Sequence, residues 1–139
     1  MITIQAMTIA DYDDALALWQ ATEGLGLSAA DSREAITRYL ARNPGLSFVA
    51  RDDEGNLIGT VLCGHDGRRG YLYHLAVRSD SRGRGLGRSL AGHCLEALRR
   101  QGIEKCHAFV KRSNVAGQSF WQRTDWIERN LVLVSKDIE

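Results

Sequence analysis

Arg82-Gly83-Arg84-Gly85-Leu86-Gly87 is the stretch on which the reading of this chain turns. Three glycines alternate with other residues, and an arginine precedes them. Just upstream lies an apolar run, Tyr71-Leu72-Tyr73-His74-Leu75-Ala76-Val77. Just downstream, Leu86, Leu90, Cys94, Leu95 and Leu98 recur at three- and four-residue spacing, a helical period. The order is strand, glycine-rich turn, helix. Glycine lets backbone N–H groups approach a ligand with no Cβ in the way. A helix start adds unpaired N–H donors and a partial positive charge. Together these make an anion site, most often one for phosphate. The plainer alternative is a helix start with flexible glycines and solvated arginines, and short glycine motifs alone do not separate the two.

The form of the motif narrows the choice. No Gly-Lys-Ser/Thr follows, which excludes a P-loop. Gly83 and Gly85 fit a dinucleotide fingerprint, but its third glycine falls on Arg88, and Arg78 to Ser81 separate turn from strand.

The chain has 139 residues, enough for one domain over residues 1–139. At 44% hydrophobic and 25% charged it can bury a core of its own. A net charge of +1 argues against a general nucleic-acid binder. Yet Arg68, Arg69, Arg78, Arg82, Arg84 and Arg88 face one acid, Asp80, over the same span. That local excess suits a polyanionic small molecule. Cys63, Cys94 and Cys106 lack C-x-x-C spacing and read as reduced thiols of a cytoplasmic protein. No apolar run approaches the roughly 18 residues of a membrane span, and the N-terminus does not read as a signal peptide. His65-Asp66 and Asp52-Asp53-Glu54 read as solvated turns without metal-ligand spacing, so no metal is expected.

Residues 2–7 alternate as a strand. Asp11 is a candidate N-cap for a helix to about Thr22. Asp31 with Glu34 resembles a capping box for a second helix, stopped by Asn43-Pro44-Gly45. Residues 47–51 and 57–63 form a hairpin, and a turn over 64–70 leads into 71–77 as a third antiparallel strand. The helix from Gly85 ends near Gly102. Residues 104–111 form a strand parallel to 71–77, reached by a right-handed crossover. A short helix over 115–123 and a last strand over 131–135 complete the chain.

Arg82, Gly85 and Gly87 match the pattern Arg/Gln-x-x-Gly-x-Gly/Ala, and Asn114, Phe120-Trp121 and Trp126 form a second signature around the short helix. With this order of elements over nearly the whole chain, it resembles the GNAT superfamily of acetyl-CoA-dependent N-acetyltransferases. The resemblance implies an α/β (α+β mixed) GNAT-like fold: a mostly antiparallel sheet with a parallel, splayed central strand pair and about four helices. It implies acetyl-CoA as cosubstrate, lying where strands 71–77 and 104–111 part. Pantetheine would pair with the backbone of Leu75 and Val77. The N–H groups of Arg82, Gly83, Arg84, Gly85, Leu86 and Gly87 would hold the pyrophosphate. Asn114 would bond the pantetheine arm, and the short helix carrying Trp121 would pack against it. An unpaired strand edge needs partners for its N–H and C=O groups, and an amide-bearing ligand supplies them.

Two positions depart from the family. Trp121 stands where a tyrosine often protonates the CoA thiolate; an indole N–H donates a hydrogen bond but does not give up its proton near neutral pH. Asp125-Trp126 replaces Gly-Phe, so the turn there is expected to differ. The family's glutamate bases map to Tyr71 and Phe109, neither a base. Strand alternation puts Tyr71, Tyr73 and Leu75 on one face and His74 on the other. His107 shares a face with Phe109, toward the expected substrate side. His74 and His107 are the candidate bases, with ordinary structural histidines as the alternative. Tyr73 is the candidate acid, with a buried tyrosine tied to a backbone carbonyl as the alternative. The expected function is transfer of acetyl to a primary amine of a small molecule or protein, by direct attack in a ternary complex, because a held amine needs little further help to attack a thioester. The alternatives are a catalytically weak acyl-CoA-binding or regulatory module and transfer of a longer acyl chain. The expected partners are acetyl-CoA and an amine, with no nucleic acid and no membrane. A homodimer through the last strands is the oligomer the family suggests.

Overall fold

Turn residues and apolar runs between residues 47 and 77 build the centre of a five-stranded sheet. The computed structural model describes residues 1–138. The strands are β1 (Thr3–Ala6), β2 (Phe48–Arg51), β3 (Leu57–His65), β4 (Gly70–Val77) and β5 (Cys106–Ala108), in the order β1-β2-β3-β4-β5. The first three pairings are antiparallel and β4–β5 is parallel. The helices are α1 (Tyr12–Ala21), α2 (Arg33–Arg42), α3 (Leu86–Arg100) and α4 (Val115–Arg123). The chain divides into two compact units, Met1–Phe109 and a second from Val110 onward.

The first unit holds the sheet, with α1–α2 on one face and α3 on the other. Trp19 of α1 is fully buried, and its indole N–H donates to the Thr60 hydroxyl at 2.9 Å. Thr60 and Leu62 therefore face α1, where Trp19, Ile36, Leu62 and Ala76 share one core. The α3 stripe of Leu86, Leu90, Ala91, Cys94 and Leu98 is buried against the opposite face. Glycine admits that helix closely. A Cβ on Gly59 would lie 2.9 Å from Leu90 Cδ1, and one on Gly70 would lie 2.5 Å from Leu98 Cδ1.

The second unit holds α4. Asn114 Oδ1 accepts from the Gly117 N–H at 2.9 Å and caps its start. At its end the Trp126 N–H reaches Trp121 O and the Asp125 N–H reaches Gln122 O, the paired bonds of a Schellman cap. Asp125 takes the left-handed position of that cap, with φ +70°. The turn expected to differ for want of glycine therefore forms with aspartate in it.

Three expectations need correction. Residues 131–135 form no strand; Leu131 to Val134 are exposed, 69% to 87%. A short apolar run of high β-propensity becomes a strand only where a neighbour offers a ladder. The strand expected over 104–111 is paired only from Cys106 to Ala108. Asp31 does not cap α2. Ser32 does, its hydroxyl accepting from Ala35 N–H at 3.1 Å, while Asp31 closes an earlier 3-10 turn with Ser28.

Candidate active site

The parallel pairing of β4 with β5 covers three rungs, Gly70–Cys106, Tyr71–His107 and Leu72–Ala108, and then stops. β4 runs on to Val77. The Arg78 N–H donates to Ile58 O on β3 at 2.8 Å. Groups alternate along a strand, so the N–H and C=O of Val77, and of Leu75 before it, point to the opposite edge. Among the described residues, no strand lies beside that edge past Leu72. Arg82 Nε donates to Val77 O at 3.0 Å, so the chain's own arginine serves one carbonyl there. The remaining groups of Leu75 and Val77 stand ready for an extended amide ligand.

Beyond Val77 a 3-10 turn, Ser79–Ser81, leads to the glycines. Gly83 and Gly85 have φ of +81° and +77°, values that favour glycine, and a Cβ on either would meet nothing within 4 Å. The bend is open. The first amide of this region with a backbone partner is Ser89 N–H, which donates to Gly85 O. The amides from Arg82 to Arg88 have no protein acceptor among the described residues. Leu86 is buried and anchors the first turn of α3 to the core, while Arg84 and Arg88 are exposed and unpaired among the described residues. A row of free N–H donors at the positive end of a 15-residue helix, flanked by free guanidinium groups, is an anion cradle.

His74 lies elsewhere than expected. The β3–β4 register shifts between Thr60 and Leu62, so that Leu62 pairs with Tyr73 but Thr60 with Ala76. The extra residue in β4 is a bulge, and His74 takes φ +49° within it. It thereby joins Tyr71 and Tyr73 on the α1–α2 face, and Leu75 moves to the α3 face with Val77. Its ring packs 4.8 Å from that of Trp19, and Nε2 lies 2.7 Å from Asp31 Oδ1. A carboxylate accepts, so the Nε2 N–H donates and the bond to Asp31 leaves Nδ1 as the ring nitrogen outside the pair. Further bonds fix the pair. The Thr60 hydroxyl donates to His74 O at 2.9 Å, Ser28 N–H donates to Asp31 Oδ2 at 3.0 Å, and Tyr12 OH donates to Asp31 O at 2.6 Å. His74 and Asp31 side chains are 15% and 12% exposed.

Tyr73 is 42% exposed, and its hydroxyl bonds no backbone carbonyl among the described residues. Desolvation, then Tyr71, raises its pKa above the usual tyrosine value. It is thus a hydrogen-bond donor at neutral pH and a poor source of protons. His107 stands beside Tyr71, ring centroids 5.7 Å apart, with no carboxylate bonded to it among the described residues. In the second unit, the Asn114 carbonyl oxygen is engaged in its cap, leaving the NH2 group free, and Trp121 packs 4.6 Å from Trp126. The neighbouring Cys63 and burial hold Cys94 protonated, its thiol donating to Leu46 O at 3.4 Å, and burial pushes Cys106 up to about 12. Neither supplies a thiolate nucleophile.

Sequence reading misses Asp31, Thr60 and Trp19 as supports of the site. They lie 14 to 55 positions from His74, and the bulge that brings His74 to them has no local signature.

Three comparisons bear on this geometry. The profile described as the acetyltransferase (GNAT) family matches residues 12–126. An acetyltransferase of Yersinia pestis is 29% identical over 91% of this chain and 88% of its own length. One of Sodalis glossinidius is 30% identical over 89% and 86%. Among solved structures, the PaiA N-acetyltransferase of Thermoplasma acidophilum, in complex with coenzyme A, has the same fold. Its TM-score is 0.74 at 20% identity, covering 88% of this chain and 87% of that one.

Proposed function

The chain belongs to the GNAT family of acetyltransferases, and from that premise we propose that it moves acetyl directly from acetyl-CoA to a primary amine, with His74 as the base. One observation carries the proposal: the β4 edge lies open from Tyr73 to Val77 and leads straight to the unpaired amides of residues 82–88. An extended diamide tail suits the first part and a diphosphate the second. Acetyl-CoA, bound there, supplies an activated thioester carbonyl. Leu75 and Val77 hold its amide arm, with Arg82 released from Val77 O, and Arg82, Gly83, Arg84, Gly85, Leu86 and Gly87 cradle its phosphates. The profile match runs through both compact units, which supports reading residues 1–139 as one acetyltransferase domain.

The acceptor amine must lose a proton as its nitrogen bonds to the acetyl carbon. His74 Nδ1 takes that proton, with Asp31 holding the ring in the required tautomer and offsetting its charge. The electron pair of the broken C–S bond leaves on sulfur. Tyr73 hydrogen-bonds the departing thiolate, and the proton returns to it from His74 or from solvent. The protonated thiols of Cys94 and Cys106 support transfer without an acetyl-enzyme. All three cysteines are free, which supports the cytoplasm as its compartment. No helix among the described residues is long and apolar enough to cross a membrane.

The test is thiol release from acetyl-CoA with an amine panel, run beside calorimetric acetyl-CoA binding. Gly85→Ala places a methyl in open space at φ +77° and reports backbone strain alone. Gly85→Glu adds a carboxylate within the cradle and is expected to abolish binding. Equal affinity for acetyl-CoA in the folded Ala and Glu variants would overturn the assignment.

A further inference from the structure

Beside the open edge, on the face away from α3, four rings form a ladder. The Tyr71 and Phe109 rings are stacked 6.0 Å apart with planes 6° from parallel. Tyr73 stacks on Phe109, also at 6.0 Å, and His107 lies 5.7 Å from Tyr71. Strand geometry brings them together. Tyr71 and His107 are register partners, and Tyr73 and Phe109 follow two residues on, at the rung where β4 and β5 no longer pair. Tyr73 is 42% exposed and Phe109 49%. Two large rings left open and stacked on others form a contiguous apolar surface of the kind that marks a binding site.

We propose that this ladder selects the acceptor, and that the acceptor is an amine carried on a planar aromatic skeleton. The inference rests on the acetyltransferase reading above. Its position argues for the acceptor rather than the cosubstrate. α3 covers one face of β4, where Gly70 and Leu72 point. A nucleophile therefore reaches the open edge from the other face, and Tyr73, Phe109 and His74 stand at that approach. The chemistry argues for an aromatic skeleton. Stacked rings favour another ring in offset or edge-on contact over an aliphatic chain. The one cation–ring contact among the described residues is Arg33 over Tyr12, so no guanidinium of the chain covers the ladder. The one carboxylate bonded to a group there, Asp31, is engaged by His74. Among the described residues no second carboxylate is bonded to a group of the ladder, and a polyamine with several ammonium groups gains no stacking from the rings alone.

The experiment uses the full-length protein and compares kcat/KM for 2-phenylethylamine, n-hexylamine, spermidine and a short peptide with a free N-terminus, with acetyl-CoA binding measured on every variant. The expected preference for phenylethylamine over hexylamine is about two- to tenfold. Phe109→Leu keeps apolar bulk and removes the ring; it is expected to raise KM for phenylethylamine about two- to tenfold while leaving KM for acetyl-CoA and for hexylamine unchanged. Phe109→Tyr is expected to retain the preference. If acetyl-CoA binds and hexylamine, spermidine or the peptide is used as well as phenylethylamine, with Phe109→Leu affecting all alike, the ladder does not choose the acceptor and this inference falls alone. If acetyl-CoA does not bind, the reading beneath it falls as well.

Discussion

At the scale of single residues, His74 combines three features that rarely meet by accident. It is a non-glycine at φ +49°, its ring is pinned between Trp19 and Asp31, and its carbonyl is held by the Thr60 hydroxyl. Strain of this sort persists only where neighbours over-determine it, and Ser28, Tyr12 and Trp19 do so. If the network exists to present Nδ1, then His74→Gln should lower kcat by about a hundredfold or more. Asp31→Asn should lower it by about ten- to a hundredfold. KM for acetyl-CoA should stay unchanged in both. A His74→Gln enzyme with undiminished kcat would remove the base from the mechanism. Tyr73 allows a separate check through pH. Its pKa lies above the usual tyrosine value of about 10. The phenol therefore stays protonated as pH rises through the neutral and mildly alkaline range, and contributes no alkaline loss there. Tyr73→Phe should lower kcat modestly and leave the shape of the profile from pH 6 to 9 as it was; a lost alkaline limb would show that Tyr73 gives up its proton after all.

At the scale of elements, what could be read from sequence is what is local. The hairpin of β2 and β3, the stripe of α3 and its glycine start follow from turn residues and spacing within a dozen positions. The short helix is read over the same residues that form it, 115–123. What escapes is what depends on partners. The bulge in β4 is a matter of its register against β3, and it moves His74 and Leu75 to faces opposite to those simple alternation assigns. The apolar run 131–134 satisfies every local criterion for a strand and forms none. The cap of α4 can be tested at this scale. Asp125 occupies a left-handed position at φ +70° where the backbone favours glycine. Asp125→Gly should stabilise the protein by about 0.5–1 kcal/mol, seen as a higher urea midpoint by tryptophan emission. An unchanged or lower midpoint would mean that the aspartate side chain contributes more to the cap than its strain costs.

At the scale of the whole molecule, a chain of net charge +1 concentrates its unpaired amides and two free arginines at one end of α3, and its exposed rings beside the open edge of β4. One locus suits an anion and the other an apolar acceptor, and the strand edge between them is the line along which a cosubstrate would lie. The family was legible because the glycine turn and the order of elements are both encoded locally; His74 was legible as a candidate base, but its pairing with Asp31 and the ring ladder were not, because rings and carboxylate are assembled from positions 12 to 109. The most direct test of the central claim is residue-resolved amide hydrogen exchange with and without saturating acetyl-CoA. The account predicts slowed exchange at Leu75, Val77, Gly85, Leu86, Gly87 and Arg88, with little change in α2. Binding of acetyl-CoA that leaves those six amides exchanging as before would contradict it.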